Sequence, residues 1–228
     1  MKNRREKGFK GLPMEGVVAR WYTRLRGSES QLEDYRRQAS RLTDGLPDGA
    51  DVLEVAPGPG YLAVEISRPG RFRVTGLDIS RSFVEIAQDN ARRTGVNVDF
   101  RHGDAANMPF ESGIFDLIVC QAAFKNFARP VAALDEMHRV LRAGGTAVIQ
   151  DMNRDASGAD IHREVQGMGL SRSNALITRW TLAMLRRRAY SPVQFERLAA
   201  DSAFRTCEIQ TEGFGIGMEV RLKKQSAA

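Results

Sequence analysis

The feature that most constrains the fold of this chain is a regular alternation of short apolar runs and amphipathic segments between residues 51 and 151. Short runs rich in branched and aromatic residues predict β-strands, and apolar residues repeated every three or four positions predict helices. The pattern predicts strands at 51–56, 72–77, 97–101, 115–120 and 146–151, and helices at 61–68, 81–93 and 130–142. Strands that alternate with helices form a parallel sheet covered on both faces. We therefore predict an α/β fold with a Rossmann-like doubly wound sheet.

The segments on either side of this unit are mostly helical in pattern. Residues 1–13 are polar and interrupted by Gly and Pro, which predicts a loose terminal arm. Helices are predicted at 15–25, 30–42, 160–168, 171–188 and 191–203. Two final runs, 205–212 and 218–224, are joined by a Gly-rich turn and predict an antiparallel pair, with the last strand beside 146–151. The sheet should then be mostly parallel, with one antiparallel C-terminal strand.

A length of 228 residues suits one hydrophobic core, so we predict a single domain over 1–228. Its parts are a helical N-terminal cap, a ligand-binding sheet core, a helical insertion after the fifth strand and a terminal strand pair, at 1–44, 45–153, 154–203 and 204–228.

Composition excludes several classes of protein. The two cysteines, Cys120 and Cys207, lie far apart and the three histidines are scattered, so neither a disulfide framework nor a metal site is expected. No apolar run approaches the roughly 18 residues of a membrane-spanning helix, and no signal-peptide pattern follows the N-terminus. We expect a cytoplasmic protein without membrane insertion.

The net charge of +6 is carried by the two flanks of the chain. Residues 1–44 carry +5 and residues 154–228 carry +4, whereas residues 45–153 carry −3. The excess is mostly Arg mixed with Glu and Asp, which favours solvated helix faces over a nucleic-acid surface. Nucleic acid is therefore not the expected partner.

The strongest local motif runs from residue 52 to residue 61, VLEVAPGPGY. An apolar strand carries Glu54, a Gly-rich turn follows, and a helix then begins. Gly58 and Gly60 allow the backbone to approach a ligand and present N–H groups at a helix N-terminus, as nucleotide-binding turns do. The motif predicts a site for a nucleotide-like ligand.

Two further acids follow the next strands of the predicted sheet. Asp78 ends the second strand, where a carboxylate accepts hydrogen bonds from both ribose hydroxyls, while Ser80 is free to cap the following helix. Asp104 follows the third strand. Since the carboxyl ends of parallel strands share one edge of the sheet, these acids should line one cleft.

Taken together, these residues resemble the class I S-adenosylmethionine-dependent methyltransferases, particularly the small-molecule branch that includes the ubiquinone/menaquinone methyltransferases. The resemblance covers about residues 45–153. It rests on the glycine loop with Glu54, on LDIS at 77–80, GDA at 103–105, MPF at 108–110, FDLI at 115–118 and EMHRVLRAGG at 136–145.

The resemblance implies roles for individual residues. The loop 56–60 would back the amino-acid moiety of S-adenosylmethionine, Asp78 would hold the ribose, and Asp104 with the Ala105 backbone would contact the adenine amine. Glu54 would support the loop or contact the amino group through water. The cofactor-binding residues so predicted are Glu54, Ala56, Pro57, Gly58, Gly60, Asp78, Ile79, Gly103, Asp104, Ala105 and Gln121.

The chain departs from the family pattern in two places. Relatives usually have glycine at the position of Ala56, and Pro57 and Pro59 remove two N–H donors from the loop. Many relatives carry a histidine pair after the fourth strand, where this chain has QAAFKNF at 121–127. A catalytic role tied to that histidine does not transfer.

Methyl transfer from a sulfonium is an in-line displacement that positioning and desolvation accelerate, so a general base is optional. The catalytic residue is left open, with His162, His102 and Tyr22 as candidates for a base. The substrate-binding residues predicted are Tyr22, Lys125, Asn126, His162 and Met168.

The sequence thus favours methyl transfer from S-adenosylmethionine to a small organic acceptor. Three alternatives stay open: a nucleic-acid methyltransferase, a nicotinamide-binding oxidoreductase and a non-catalytic cofactor-binding module. A fully parallel sheet would favour the oxidoreductase. The helices at 15–42 and 154–190 should form a lid over the cleft. A homodimer is also left open.

Overall fold

The computed structural model describes residues 8, 10 and 14–226, apart from the side chain of Leu25. Seven strands form its sheet: β1 (Asp51–Val55), β2 (Arg73–Asp78), β3 (Asp99–His102), β4 (Phe115–Gln121), β5 (Leu141–Met152), β6 (Glu208–Gln210) and β7 (Gly217–Lys223). The helices are α1 (Gly16–Arg26), α2 (Glu29–Leu42), α3 (Tyr61–Ser67), α4 (Arg81–Thr94), α5 (Pro130–Val140), α6 (Gly158–Gly167), α7 (Arg172–Arg186) and α8 (Pro192–Asp201). A 3₁₀ turn spans Phe124–Asn126.

The sheet has the strand order β3-β2-β1-β4-β5-β7-β6. The pairs among β1 to β5 are parallel, and β7 lies antiparallel between β5 and β6. The predicted mixed sheet, with the last strand beside β5, is therefore confirmed. Strand order reverses between β1 and β4, and ligands of such sheets bind beyond the carboxyl ends of the strands at that point.

Helices cover both faces of the sheet. On one face, apolar residues of α2, α3 and α4 pack against Val52, Val74 and Val119. On the other face, α5 and α8 pack against residues such as Ile118 and Ile149. Because α8 belongs to this core layer, only α6 and α7 of the predicted insertion stand apart from the layers that flank the sheet.

The junction of α5 and β5 differs from the prediction. The sequence predicted a helix over 130–142 and a strand over 146–151, but α5 ends at Val140 and β5 begins at Leu141, so Gly144 and Gly145 lie inside the strand. Pairing with β4 shifts from Phe115–Leu141 to Leu117–Thr146, so β5 bulges between these positions. The bulge places Arg142 in ion pairs with Asp51 and Asp116, which fixes the strand start earlier than the helical pattern suggested.

The C-terminal strand pair is also shorter than expected at its first member. The run 205–212 predicted a strand, but only Glu208–Gln210 pairs with β7. This strand lies at the edge of the sheet and pairs with a single neighbour, β7. The residues on either side of it therefore lack strand-to-strand hydrogen bonds.

The ring of Phe100 fills the space over a missing side chain in β2. A Cβ atom built on Gly76 would lie 2.4 Å from Phe100 Cδ1 and 3.2 Å from Pro57 Cγ. A Cβ atom built on Gly60 would also clash with this ring, at 2.7 Å from Phe100 Cζ. The glycine at position 76 thus lets β3 press against the loop that follows β1.

Gly76→Ala should therefore destabilise the protein by about 1–3 kcal/mol, the usual cost of overpacking a core. Urea unfolding measures this change. Gly158→Ala is the matched control, because a Cβ there meets nothing within 4 Å. Equal stability of the two variants would contradict the packing assigned to Phe100.

Candidate functional site

The loop between β1 and α3 has an unusual backbone. Ala56, Gly58 and Gly60 adopt left-handed conformations with φ of 57°, 55° and 76°. Gly60 is the N-cap residue of α3, so the loop ends at a helix N-terminus. Ala56 adopts a conformation that costs a residue with a Cβ about 1–2 kcal/mol, which explains why glycine suits this position.

Asp78 links this loop to the end of β2. Its Oδ2 atom accepts a hydrogen bond from the Gly58 N–H at 2.9 Å, and its Oδ1 atom accepts one from the Ser80 N–H at 2.8 Å. Burial raises the pKa of Asp78 to about 6, against the effect of these backbone donors. Each oxygen keeps a further lone pair for a ligand hydroxyl.

Ser80 takes the capping role expected of it. Its Oγ atom accepts a hydrogen bond from the Phe83 N–H at 3.1 Å at the start of α4. Asp78 is therefore not needed as the cap, as the sequence predicted.

Glu54 is the second buried acid of the site. Burial raises its pKa to about 8. The nearby Asp78 carboxylate contributes to this rise, and a hydrogen bond from the Ala63 N–H opposes it. Its Oε2 atom is buried and has no hydrogen-bond partner among the described residues. A buried carboxylate oxygen in this state calls for a donor, and a cationic amine supplies both donor and charge.

Asp104 lies after β3 at the same edge. Its Oδ1 atom accepts a hydrogen bond from the Ala106 N–H, and its Oδ2 atom accepts one from Arg129 at 2.8 Å. The neighbouring Gly103 N–H donates to the Asp78 carbonyl oxygen at 2.9 Å. The three predicted acids thus lie at the carboxyl ends of β1, β2 and β3, at one edge of the sheet.

The N-terminal segment crosses this edge. A Cβ built on Gly8 would lie 2.7 Å from Ile79 Cδ1 and 2.8 Å from Asp104 Oδ2. The Lys10 N–H donates to the Asn126 carbonyl at 2.6 Å. A loose arm was expected over 1–13, but at Gly8 and Lys10 the chain is bound, because backbone groups there are paired; the other residues of that range lie outside the described part.

Residues just before α1 continue the contact. The Ser80 hydroxyl donates to the Met14 carbonyl at 2.7 Å, and the Glu15 carboxylate accepts the N–H groups of Arg81 and Ser82. These bonds attach the start of α1 to the first turn of α4.

A row of polar side chains lies on the face of the sheet beneath α2. Gln121 donates to Gln38 at 2.6 Å, and Gln150 donates to Glu219, which also accepts from Arg41 at 2.7 Å. Only Gln121 was predicted. The others were missed because they come from three further elements, α2, β5 and β7, and only strand register brings Gln121, Gln150 and Glu219 into line.

The aromatic residues of α1 and α2 surround the start of α3. Tyr35 accepts a hydrogen bond from Arg26 at 3.0 Å, and its ring centroid lies 5.8 Å from that of Tyr61. Tyr22 packs edge-on against Phe83 at 5.8 Å. Tyr22 is thus held against α4, and its contact with an acceptor stays a prediction.

Lys125 is buried and bound within the protein. Its Nζ atom donates to Asp151 at 2.7 Å and to the Ala122 carbonyl at 2.6 Å, and its backbone N–H donates to Asp151 Oδ2. These bonds hold the turn after β4 to the end of β5. Contact of Lys125 or Asn126 with a substrate stays a prediction.

The remaining candidates lie further out. His102, at the end of β3, and His162, on α6, are both exposed. Met168 lines an open groove of about 950 Å³ between α6 and the turn from β6 to β7. None of the three acids lines this groove, so the structure does not bring Met168 together with them.

The described residues contain neither a metal-binding cluster nor a membrane-spanning helix. Among them, no group of three or more His, Cys, Asp or Glu side chains is placed to hold a metal ion. Within the same part of the chain, no helix is both long and apolar enough to cross a membrane.

The buried, raised-pKa state of Glu54 predicts a pH dependence of stability. The folded state holds a proton on Glu54 up to a pKa of about 8, whereas the unfolded chain releases it near 4.5. The free energy of unfolding should therefore fall as pH rises between these values. Glu54→Gln should flatten that fall and exceed the wild type in stability at pH 8 by about 2 kcal/mol or more.

Urea unfolding at pH 5.5 and pH 8 measures the effect. Glu85→Gln, which changes an exposed carboxyl on α4, should keep the wild-type pH dependence. A Glu54→Gln variant with the wild-type dependence would show that Glu54 is not the buried group responsible.

Comparison with known proteins agrees with this geometry. Residues 53–149 match the family model described as a methyltransferase domain. The demethylmenaquinone methyltransferase of Deinococcus radiodurans is 34% identical over 108 residues, which are 47% of this chain and 45% of that protein. That of Porphyromonas gingivalis is 32% identical over 127 residues, 54% of this chain and 51% of that protein. This chain thus spans about half the length of the curated relatives it matches.

The fold extends the likeness over the rest of the chain. The S-adenosylmethionine-dependent methyltransferase of Aquifex aeolicus superposes with a TM-score of 0.68 at 17% identity, covering 92% of this chain and 100% of that one. The resemblance found in the sequence is thereby confirmed: residues 53–149 match a methyltransferase domain, and the described chain has the fold of the class I S-adenosylmethionine-dependent methyltransferases.

Proposed function

We propose that this protein transfers a methyl group from S-adenosylmethionine to a small organic acceptor. The observation that carries the proposal is the buried Glu54 Oε2 atom, which lacks a partner within the described residues and lies on the strand that leads into the glycine loop. The amino group of S-adenosylmethionine is a cation with donors, which is what this oxygen requires. The match to a methyltransferase domain supports the same ligand.

The residues present fit the other parts of this ligand. Asp78 would hold the ribose hydroxyls with its remaining lone pairs, and Asp104 with the Ala105 backbone would contact the adenine. Gly58 leaves the backbone of the loop open to close approach, since a Cβ there would meet no atom within 4 Å, whereas Gly60 faces the Phe100 ring. When bound, S-adenosylmethionine supplies the methyl group as an electrophilic sulfonium.

The protein's own contribution to the reaction is then to position the reactants and to exclude water from the cleft. Hydrogen bonds from Gly58 and Ser80 fix the Asp78 carboxylate before any ligand arrives, so little reorganisation is needed on binding. The chain segments around Gly8, Met14 and Tyr22 lie at the same edge and would exclude water from the cleft.

The acceptor is proposed as a small molecule of the kind that the curated relatives are named for. Those relatives are demethylmenaquinone methyltransferases, so a demethylated quinone is the first acceptor to test. Methyl transfer from labelled S-adenosylmethionine to that compound or to a metabolite extract tests the activity. Cofactor binding without any labelled product would favour a non-catalytic module, and the antiparallel β7 removes the fully parallel sheet that would favour an oxidoreductase.

Asp78→Ala should weaken binding of S-adenosylhomocysteine by about 1.5–3 kcal/mol, the scale of hydrogen bonds to a charged group. Isothermal titration calorimetry measures the dissociation constant. Asp89→Ala, which removes an exposed carboxylate of α4, is the control and should bind as the wild type does. An unchanged dissociation constant in a folded Asp78→Ala protein would remove Asp78 from the site.

The segments 15–42 and 154–190 are proposed to act as a lid that becomes ordered when the cofactor binds. The first segment and the residue before it already contact the site through Met14, Glu15 and Tyr22. The second leaves the sheet at the carboxyl end of β5, beside the cleft.

Hydrogen exchange with and without S-adenosylhomocysteine tests the lid. Protection should rise in 15–42 and 154–190 as well as in the loops 56–60, 78–82 and 103–106. The strands β6 and β7 serve as an internal control, since they lie away from the proposed cofactor contacts. A rise confined to the three loops would show that these helices are only structural.

A further inference from the structure

Helix α7 presents an apolar face to solvent. Leu176, Ile177 and Trp180 are 67%, 63% and 68% exposed, and Met184 is 44% exposed. Their spacing of one, four and eight residues from Leu176 places them on one side of the helix. No residue of α7 is fully buried, and Leu182 and Leu185 on its other side are only partly buried, so the helix exposes more apolar surface than an amphipathic surface helix usually does.

Helix α1 repeats the arrangement. Val17, Val18 and Trp21 have the same spacing as Leu176, Ile177 and Trp180, and they are 73%, 47% and 61% exposed. An arginine precedes each tryptophan, at Arg20 and Arg179. We call these two faces, made by Val17, Val18 and Trp21 on α1 and by Leu176, Ile177, Trp180 and Met184 on α7, the tryptophan faces.

The sequence around α7 carries charge of one sign. Residues 165–195 contain five arginines and no Asp or Glu. Arg172 and Arg179 are exposed, and neither forms an ion pair with any residue that the structure describes. The apolar stripe is thus bordered by cations that have no ion-pair partner among the described residues.

Both helices stand at the carboxyl edge of the sheet. The residues before α1 are bonded to the turn after β2, and α6 and α7 leave the sheet after β5. The parallel strands direct these connections to the same edge as the candidate site. The tryptophan faces therefore flank that site.

We propose that the tryptophan faces rest on the surface of an anionic lipid bilayer. Exposed apolar residues with a tryptophan and bordering arginines are what an interfacial helix presents to lipid, with the indole at the level of the headgroups and the guanidinium groups on phosphates. A second copy of this chain is disfavoured as the occupant, because a symmetric contact would set the arginines of one α7 against those of the other.

Tryptophan fluorescence tests the proposal directly, because the chain has two tryptophans and both lie in these faces. Vesicles of phosphatidylcholine containing phosphatidylglycerol should shift the emission to shorter wavelength, and vesicles of phosphatidylcholine alone should do so much less. Trp21→Phe and Trp180→Phe each leave one reporter and show whether both faces reach the lipid.

Co-sedimentation with the same vesicles quantifies the binding. Arg172→Gln with Arg179→Gln should weaken partitioning by about 25-fold, at roughly fivefold for each charge near an anionic surface. Leu176→Ser with Ile177→Ser should weaken it by at least about tenfold. The controls are Arg92→Gln with Arg93→Gln on α4 and Val193→Ser on α8, which remove matched charge and exposed apolar surface elsewhere and should bind as the wild type does.

Three results would overturn the proposal. The first is an absence of partitioning onto anionic vesicles by the wild-type chain. The second is equal weakening by the control variants. The third is concentration-dependent self-association in analytical ultracentrifugation that Leu176→Ser with Ile177→Ser abolishes while vesicle binding is unchanged, which would assign the faces to a second copy of the chain. Unchanged circular dichroism in each variant shows that the fold is kept.

Discussion

The carboxylate of Asp78 joins the parts of the molecule on which the candidate site depends. It ends β2, it accepts the Gly58 N–H of the loop after β1, and it accepts the Ser80 N–H before α4. The end of β2, the start of α4 and the loop after β1, which lies 20 residues earlier in the chain, are thus fixed by one buried carboxylate. The loop conformation, with Ala56, Gly58 and Gly60 in the left-handed region, is held in place by this bond and by the Ala56 N–H donating to the Leu77 carbonyl. Without these two hydrogen bonds the loop would lack the contacts that hold its strained backbone in the left-handed region.

At the same edge of the sheet, the burial of two carboxyl groups is electrostatically unfavourable. Glu54 and Asp78 are both buried, and each has a raised pKa. A cationic ligand group would relieve the cost at Glu54 and favour its ionised form, so binding and deprotonation would be linked. A site arranged in this way is less stable empty than filled, which is a common property of functional sites.

Most of the sheet and the three acids could be predicted from the sequence, because strand periodicity and the glycine loop are local signals. The α5–β5 junction could not, since the early start of β5 depends on Arg142 meeting Asp51 and Asp116 across the sheet. Nor could the bonds of Lys125 to Asp151 or the row containing Gln150 and Glu219, which register between strands creates. Contacts of that kind leave no trace in spacing along the chain.

The N-terminal segment has a consequence for the order in which the molecule assembles. Lys10 contacts the Tyr190 hydroxyl across 180 residues of sequence, and Gly8 receives the Ala128 N–H on its carbonyl. Residues 8 and 10 leave the ribosome well before Ala128 and Tyr190, so both positions wait for their partners during synthesis. Gly8 and Lys10 therefore reach their final places only once the sheet edge that they contact has been built.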